Sequence, residues 1–77
     1  MHSIILAVKN DPILLTHARE ILADIDDDAA IRAFRDWLDT IAEVIQSEHP
    51  MSFSLFMPVI SSAIQNIPEQ EILALRG

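Results

Sequence analysis

The 77-residue sequence contains no cysteine, so no disulfide can staple its fold and no thiolate can hold a metal or attack a substrate. It has one glycine, Gly77, which removes phosphate-cradling loops and dinucleotide fingerprints as local motifs. Basic side chains are few and dispersed: Lys9, Arg19, Arg32, Arg35 and Arg76 stand against twelve acidic residues, for a net charge of −7. Phosphate recognition needs dense Lys and Arg contacts, so direct nucleic-acid binding is not expected. The same deficit argues against docking to an anionic membrane, which uses basic clusters beside an amphipathic helix. Long apolar runs are missing too. Ile4 to Val8 is far too short to span a bilayer, and its flank lacks the positive n-region and small-residue cleavage site of a signal peptide. The expected location is therefore the cytoplasm, where a cysteine-free chain is at home.

What the sequence does have is apolar material. Hydrophobic residues make up 51% of the chain and mean hydropathy is positive. A chain this short buries only about 60% of the surface its unfolded form exposes. One small core cannot easily hide so much, so part of it should lie at an interface. No linker, internal repeat or low-complexity stretch divides the chain, and residues 1–77 read as a single helical domain.

The spacing predicts an all-α bundle of about four helices, with helical segments near 4–9, 12–25, 28–48, 52–66 and 68–76. Ser3 to Lys9 could be a buried strand or a short helix; no second strand-like run offers a partner, which favours a helix capped by Ser3. Asp11 and Pro12 suit the N-cap and first position of the next helix, in which Leu14, Ala18, Ile21, Leu22 and Ile25 share one face. Asp26-Asp27-Asp28 suits the positive end of a helix dipole and opens the longest helix. Along it, Ile31, Phe34, Leu38, Ile41 and Ile45 form an apolar stripe, widened by Ala30, Trp37 and Val44. Arg32, Arg35, Asp36, Asp39, Glu43 and Gln46 are expected to face water, with Asp28–Arg32 and Arg35–Asp39 spaced as i, i+4 pairs. His49-Pro50 should end this helix.

Pro50 to Pro68 contains no Asp, Glu, Lys or Arg. Ser52 is the expected cap, and Phe53, Leu55, Phe56, Met57, Val59, Ile60, Ala63, Ile64 and Ile67 are distributed almost all round the axis, so both faces want burial. Pro58 should kink this helix or split it in two. Pro68 starts a last helix with Glu69 and Glu71 in its first turn.

Catalytic and metal motifs are weak. Asp24, Asp26 and Asp28 fall at positions 1, 3 and 5 of a calcium loop, but Ala29 stands where glycine is needed and Arg35 where the bidentate glutamate belongs. His17 and Glu20 share a helix face without a second His or Glu motif. Ser52, Ser54, Ser61 and Ser62 lack the strand–turn–helix setting of a serine nucleophile. No catalytic, cofactor-binding or metal-ligating residue is therefore expected, and no cofactor.

The residues expected to bind protein are the apolar Phe53, Phe56, Met57, Ile60 and Ile64, together with the acidic Asp24, Asp26, Asp27, Asp28, Asp36, Asp39 and Glu43. Trp37, at the edge of its stripe, is expected in the core. The reading is a non-enzymatic binding protein, such as an inhibitor, an adaptor or an immunity- or antitoxin-like regulator. It would form a homodimer through the charge-free helix and present acidic surface to a basic site on a protein partner. A second reading makes the acidic face an imitation of nucleic acid that blocks a nucleic-acid-binding enzyme, as a phage-encoded anti-defence inhibitor would.

Overall fold

Helix formation follows the caps and breakers in the sequence. The computed structural model describes residues 1–77, with helices α1 (Ser3–Asn10), α2 (Pro12–Leu22), α3 (Asp27–Glu48) and α4 (Pro50–Phe53), a 3₁₀ turn (Ser54–Phe56), α5 (Met57–Gln65) and α6 (Glu69–Ala74). There is no strand. No helix is long and apolar enough to cross a membrane.

His2, not Ser3, caps α1: its Nδ1 accepts the Ile4 N–H at 3.1 Å. An imidazole nitrogen one residue earlier does the work expected of the serine hydroxyl. Asp11 joins two helices. Its carboxylate accepts the N–H groups of Ile13 and Leu14, while its own N–H donates to the Val8 carbonyl at the end of α1. Asp26 caps α3 through the Ala29 N–H at 2.8 Å.

α2 stops at Leu22, three residues earlier than its periodicity suggests. Ala23 turns out of the helix and Asp24 takes a left-handed backbone with φ of 62°, which sends Ile25 to the surface rather than into the core. The acidic run that opens α3 begins where α2 exposes its negative dipole end, so continuing α2 would set like charges together.

α3 is the axis of the molecule, about 33 Å long at 1.5 Å per residue. One core cluster gathers on its N-terminal half. Ile31, Phe34 and Leu38 meet Ile5 and Val8 of α1, Ala18 and Leu22 of α2, and Ile64, Ile67, Ile72 and Leu75 from α5, α6 and their flanks. Trp37 lies half-buried against this cluster, its ring 5.7 Å from that of Phe34 and tilted by 54°. The stripe on α3 is only half used, however. Ile41 is half-buried and, beyond Ala42, Val44 and Ile45 are exposed, because the core cluster gathers on the N-terminal half of α3 and no element covers the same side further on.

α5 returns antiparallel to α3, as the bonds Gln46 Nε2 to Ser54 Oγ (3.1 Å) and Arg35 Nη2 to the Ile67 carbonyl (2.9 Å) show. Arg35 therefore does not face water as an Asp39 partner; its side chain is half-buried against the end of α5, with Nε buried and unpaired. The expected cap at Ser52 is also replaced. His49 alone forms the junction, its N–H donating to the Ile45 carbonyl and its own carbonyl accepting the Phe53 N–H, both at 2.9 Å, and Pro50 takes the first helical position. Pro58 splits the segment, as expected: the chain passes through the 3₁₀ turn and Pro58 occupies the first turn of α5.

Arginines lock the helix ends together. Arg19 Nε donates to the Leu75 carbonyl at 3.2 Å, and Arg76 Nε donates to the Leu22 carbonyl at 3.0 Å. Arg76 also reaches the Ile25 carbonyl and pairs with Asp27 at 2.7 Å. With Arg35 on Ile67, three of the five basic side chains satisfy carbonyls at helix C-termini, where the dipole is negative. At the opposite end of the sequence, the His2 N–H donates to Glu71 Oε1 at 2.7 Å.

Candidate protein-binding surface

The two halves of α3 are clothed very differently. After Ala42 the next buried residue is Ile64, so the last turns of α3 and the arm formed by α4, the 3₁₀ turn and the start of α5 contain no fully buried side chain. Within the arm, Met51 is 90% exposed, Leu55 80%, Val59 67% and Phe56 58%. The radius of gyration, 12.5 Å, exceeds the roughly 11.5 Å of a compact 77-residue domain, in keeping with extents of 38 × 23 × 21 Å. A chain that projects an apolar arm leaves uncovered the kind of surface that marks interaction sites.

The apolar residues expected to bind protein do not all lie there. Phe56 is exposed on the arm. Phe53 and Met57 are half-buried beneath it, and Ile60 is half-buried and packed against the core. Ile64 is 2% exposed and belongs to the core itself, so it is not part of the surface. Three residues outside that expected set, Met51, Leu55 and Val59, are the most exposed large apolar side chains of the arm. Their signal was spacing: Met51, Leu55, Val59, Ser62 and Asn66 recur every three or four residues and every one is exposed. Beside this stripe Pro58, Val59, Ser62, Ala63 and Asn66 line a shallow depression of about 460 Å³.

The acidic residues also divide. Asp26 is engaged as the α3 cap and Asp27 as the Arg76 partner. Asp24 and Asp28 are exposed at the α2–α3 junction, Asp36 and Glu43 are exposed along α3, and Asp39 is half-buried. Asp28 shares an open cleft of about 270 Å³ with Ile31, Arg32, Arg35 and Glu69, in which two cations stand beside two carboxylates. His17 and Glu20 are exposed on α2, and nowhere do three His, Asp or Glu side chains converge as a metal ion would require. With Arg19, Arg35 and Arg76 turned toward helix ends, Lys9 and Arg32 are the basic side chains making no hydrogen bond within the fold. Compared with known proteins, the chain matches no family model, no curated protein and no solved structure.

Proposed function

We propose that this chain is a non-enzymatic protein-binding protein, of the inhibitor, adaptor or antitoxin-like kind, working through its apolar arm and its acidic outer face. The uncovered arm carries this reading. Keeping several large apolar side chains in water is unfavourable by about 25 cal/mol per Å², and a partner that covers them recovers that free energy. The acidic face would add steering and selectivity toward a basic surface.

The engagement of Arg19, Arg35 and Arg76 with helix-end carbonyls favours a second reading, in which the acidic face substitutes for a nucleic acid in the basic groove of an enzyme. Salt separates the two. Binding by such a mimic should weaken steeply as ionic strength rises, whereas an apolar contact should tolerate salt.

The test is affinity capture from cells of the source organism with the wild type, with Phe56→Glu and with Asp36→Asn/Glu43→Gln, followed by mass spectrometry. A protein retained by the wild type and lost with the arm variant is expected. Capture of the same proteins by all three baits, or of none by any, would overturn the reading.

A further inference from the structure

We propose that the occupant of the arm is a second copy of this chain, seated antiparallel across a twofold axis beside Val59. This deepens the protein-binding reading and rests on it for the arm's role.

The exposed stripe has a gradient of size. Its beginning is bulky, with Met51 and Leu55 flanked by Phe56; its end is small and polar, with Ser62, Ala63 and Asn66 beside the depression. Two identical stripes laid antiparallel set the bulky end of each on the small end of the other. The order along the stripe sets the register: Met51 falls opposite Asn66 and Leu55 opposite Ser62, which places the axis between Pro58 and Val59 and brings the two Val59 side chains within one residue of each other. A twofold interface requires such self-complementarity, each patch meeting the same patch on the other copy. Parallel stacking would instead crowd Leu55 on Leu55 and leave Ser62 facing Ser62 across a gap.

Area and charge agree with this occupant. Met51, Leu55, Phe56 and Val59 leave on the order of 500 Å² uncovered per copy, and Pro58, Ser62 and Ala63 extend the face toward the ~600–800 Å² per partner of a specific interface. Each copy carries −7, so most pairings would press acidic groups together. The stripe contains no charged residue, and pairing along it brings no carboxylate into the seam.

Since the chain has no cysteine, single cysteines report the register cleanly. Light scattering coupled to size exclusion should find the wild type at twice 8.6 kDa at high micromolar concentration. Leu55→Glu should halve that mass without changing the helical circular dichroism, because Leu55 is outside the core. Under mild oxidation Val59→Cys should cross-link to itself. Met51→Cys or Asn66→Cys alone should not, while an equimolar mixture of those two should. A monomeric wild type overturns the proposal; if Phe56→Glu still abolishes capture of a cellular partner, the protein-binding reading survives that result. A dimer in which Met51→Cys cross-links to itself overturns the antiparallel register. A dimer that captures no other protein upholds this inference and removes the external partner.

Discussion

Arg76→Ala is the substitution whose cost can be built contact by contact. The guanidinium donates through Nε to the Leu22 carbonyl at 3.0 Å and through Nη2 to the Ile25 carbonyl, and pairs through Nη1 with Asp27 at 2.7 Å. Hydrogen bonds from a charged donor contribute about 1.5–3 kcal/mol each when well shielded. The side chain is 32% exposed, so water replaces part of each lost bond, and the exposed ion pair adds less than about 1 kcal/mol. About 2–3 kcal/mol is expected for Arg76→Ala, or a fall in Tm of roughly 10–20 °C for a domain of this size. Arg76→Lys retains charge but cannot fork to two carbonyls, so it should recover less than half. Asp27→Asn should cost under about 1 kcal/mol. Urea unfolding followed by Trp37 fluorescence, at one fixed protein concentration, measures all three. If Asp27→Asn proved as costly as Arg76→Ala, the ion pair would be the source of stability and the carbonyl contacts would not.

Four further outcomes can be checked in the same way. Phe34→Ala should cost about 3–5 kcal/mol and Leu38→Ala about 2–5, since both fill the core, while half-buried Ile41→Ala should cost clearly less than Leu38→Ala. Asp26→Ala removes the α3 cap and should lower stability by about 0.5–2 kcal/mol. Asp24→Gly should raise stability by up to about 1 kcal/mol, because glycine tolerates a φ of 62° without strain. Finally, Phe56→Ala in the monomeric Leu55→Glu background should leave the urea midpoint nearly unchanged, since Phe56 lies outside the core cluster.

The helices were legible where a local chemical signal sets them. Asp11-Pro12 and Asp26 announce their helices through capping groups that act within three residues, and Pro58 breaks the backbone by its missing N–H. Tertiary choices were less legible. Ile31, Phe34 and Ile45 share one stripe, yet periodicity says only that residues lie on a common face, not how far along it a neighbour extends. In the charge-free segment, apolar residues surround the axis. Which of them turn inward depends on the bend at His49 and on the path through the 3₁₀ turn, and these put Ile64 inside and Leu55 outside. Arg35 departs from its spacing for a related reason: a long side chain can leave its own helix to reach a carbonyl 32 residues away.

The stretch from Ala42 to Ile64 without one buried side chain divides the molecule thermodynamically as well as spatially. Opening the arm would expose no fully buried side chain, and what ties it to α3 is half-buried Phe53, Met57 and Ile60 with one exposed Gln46–Ser54 bond. Amide protons from Phe53 to Ile60 should therefore exchange with deuterium by local opening, well before those of Phe34 or Leu38, which need global unfolding. Covering the arm would convert that early-exchanging unit into a slow one. Its exchange rate would then be a direct reading of occupancy, residue by residue, under conditions where the core amides stay silent.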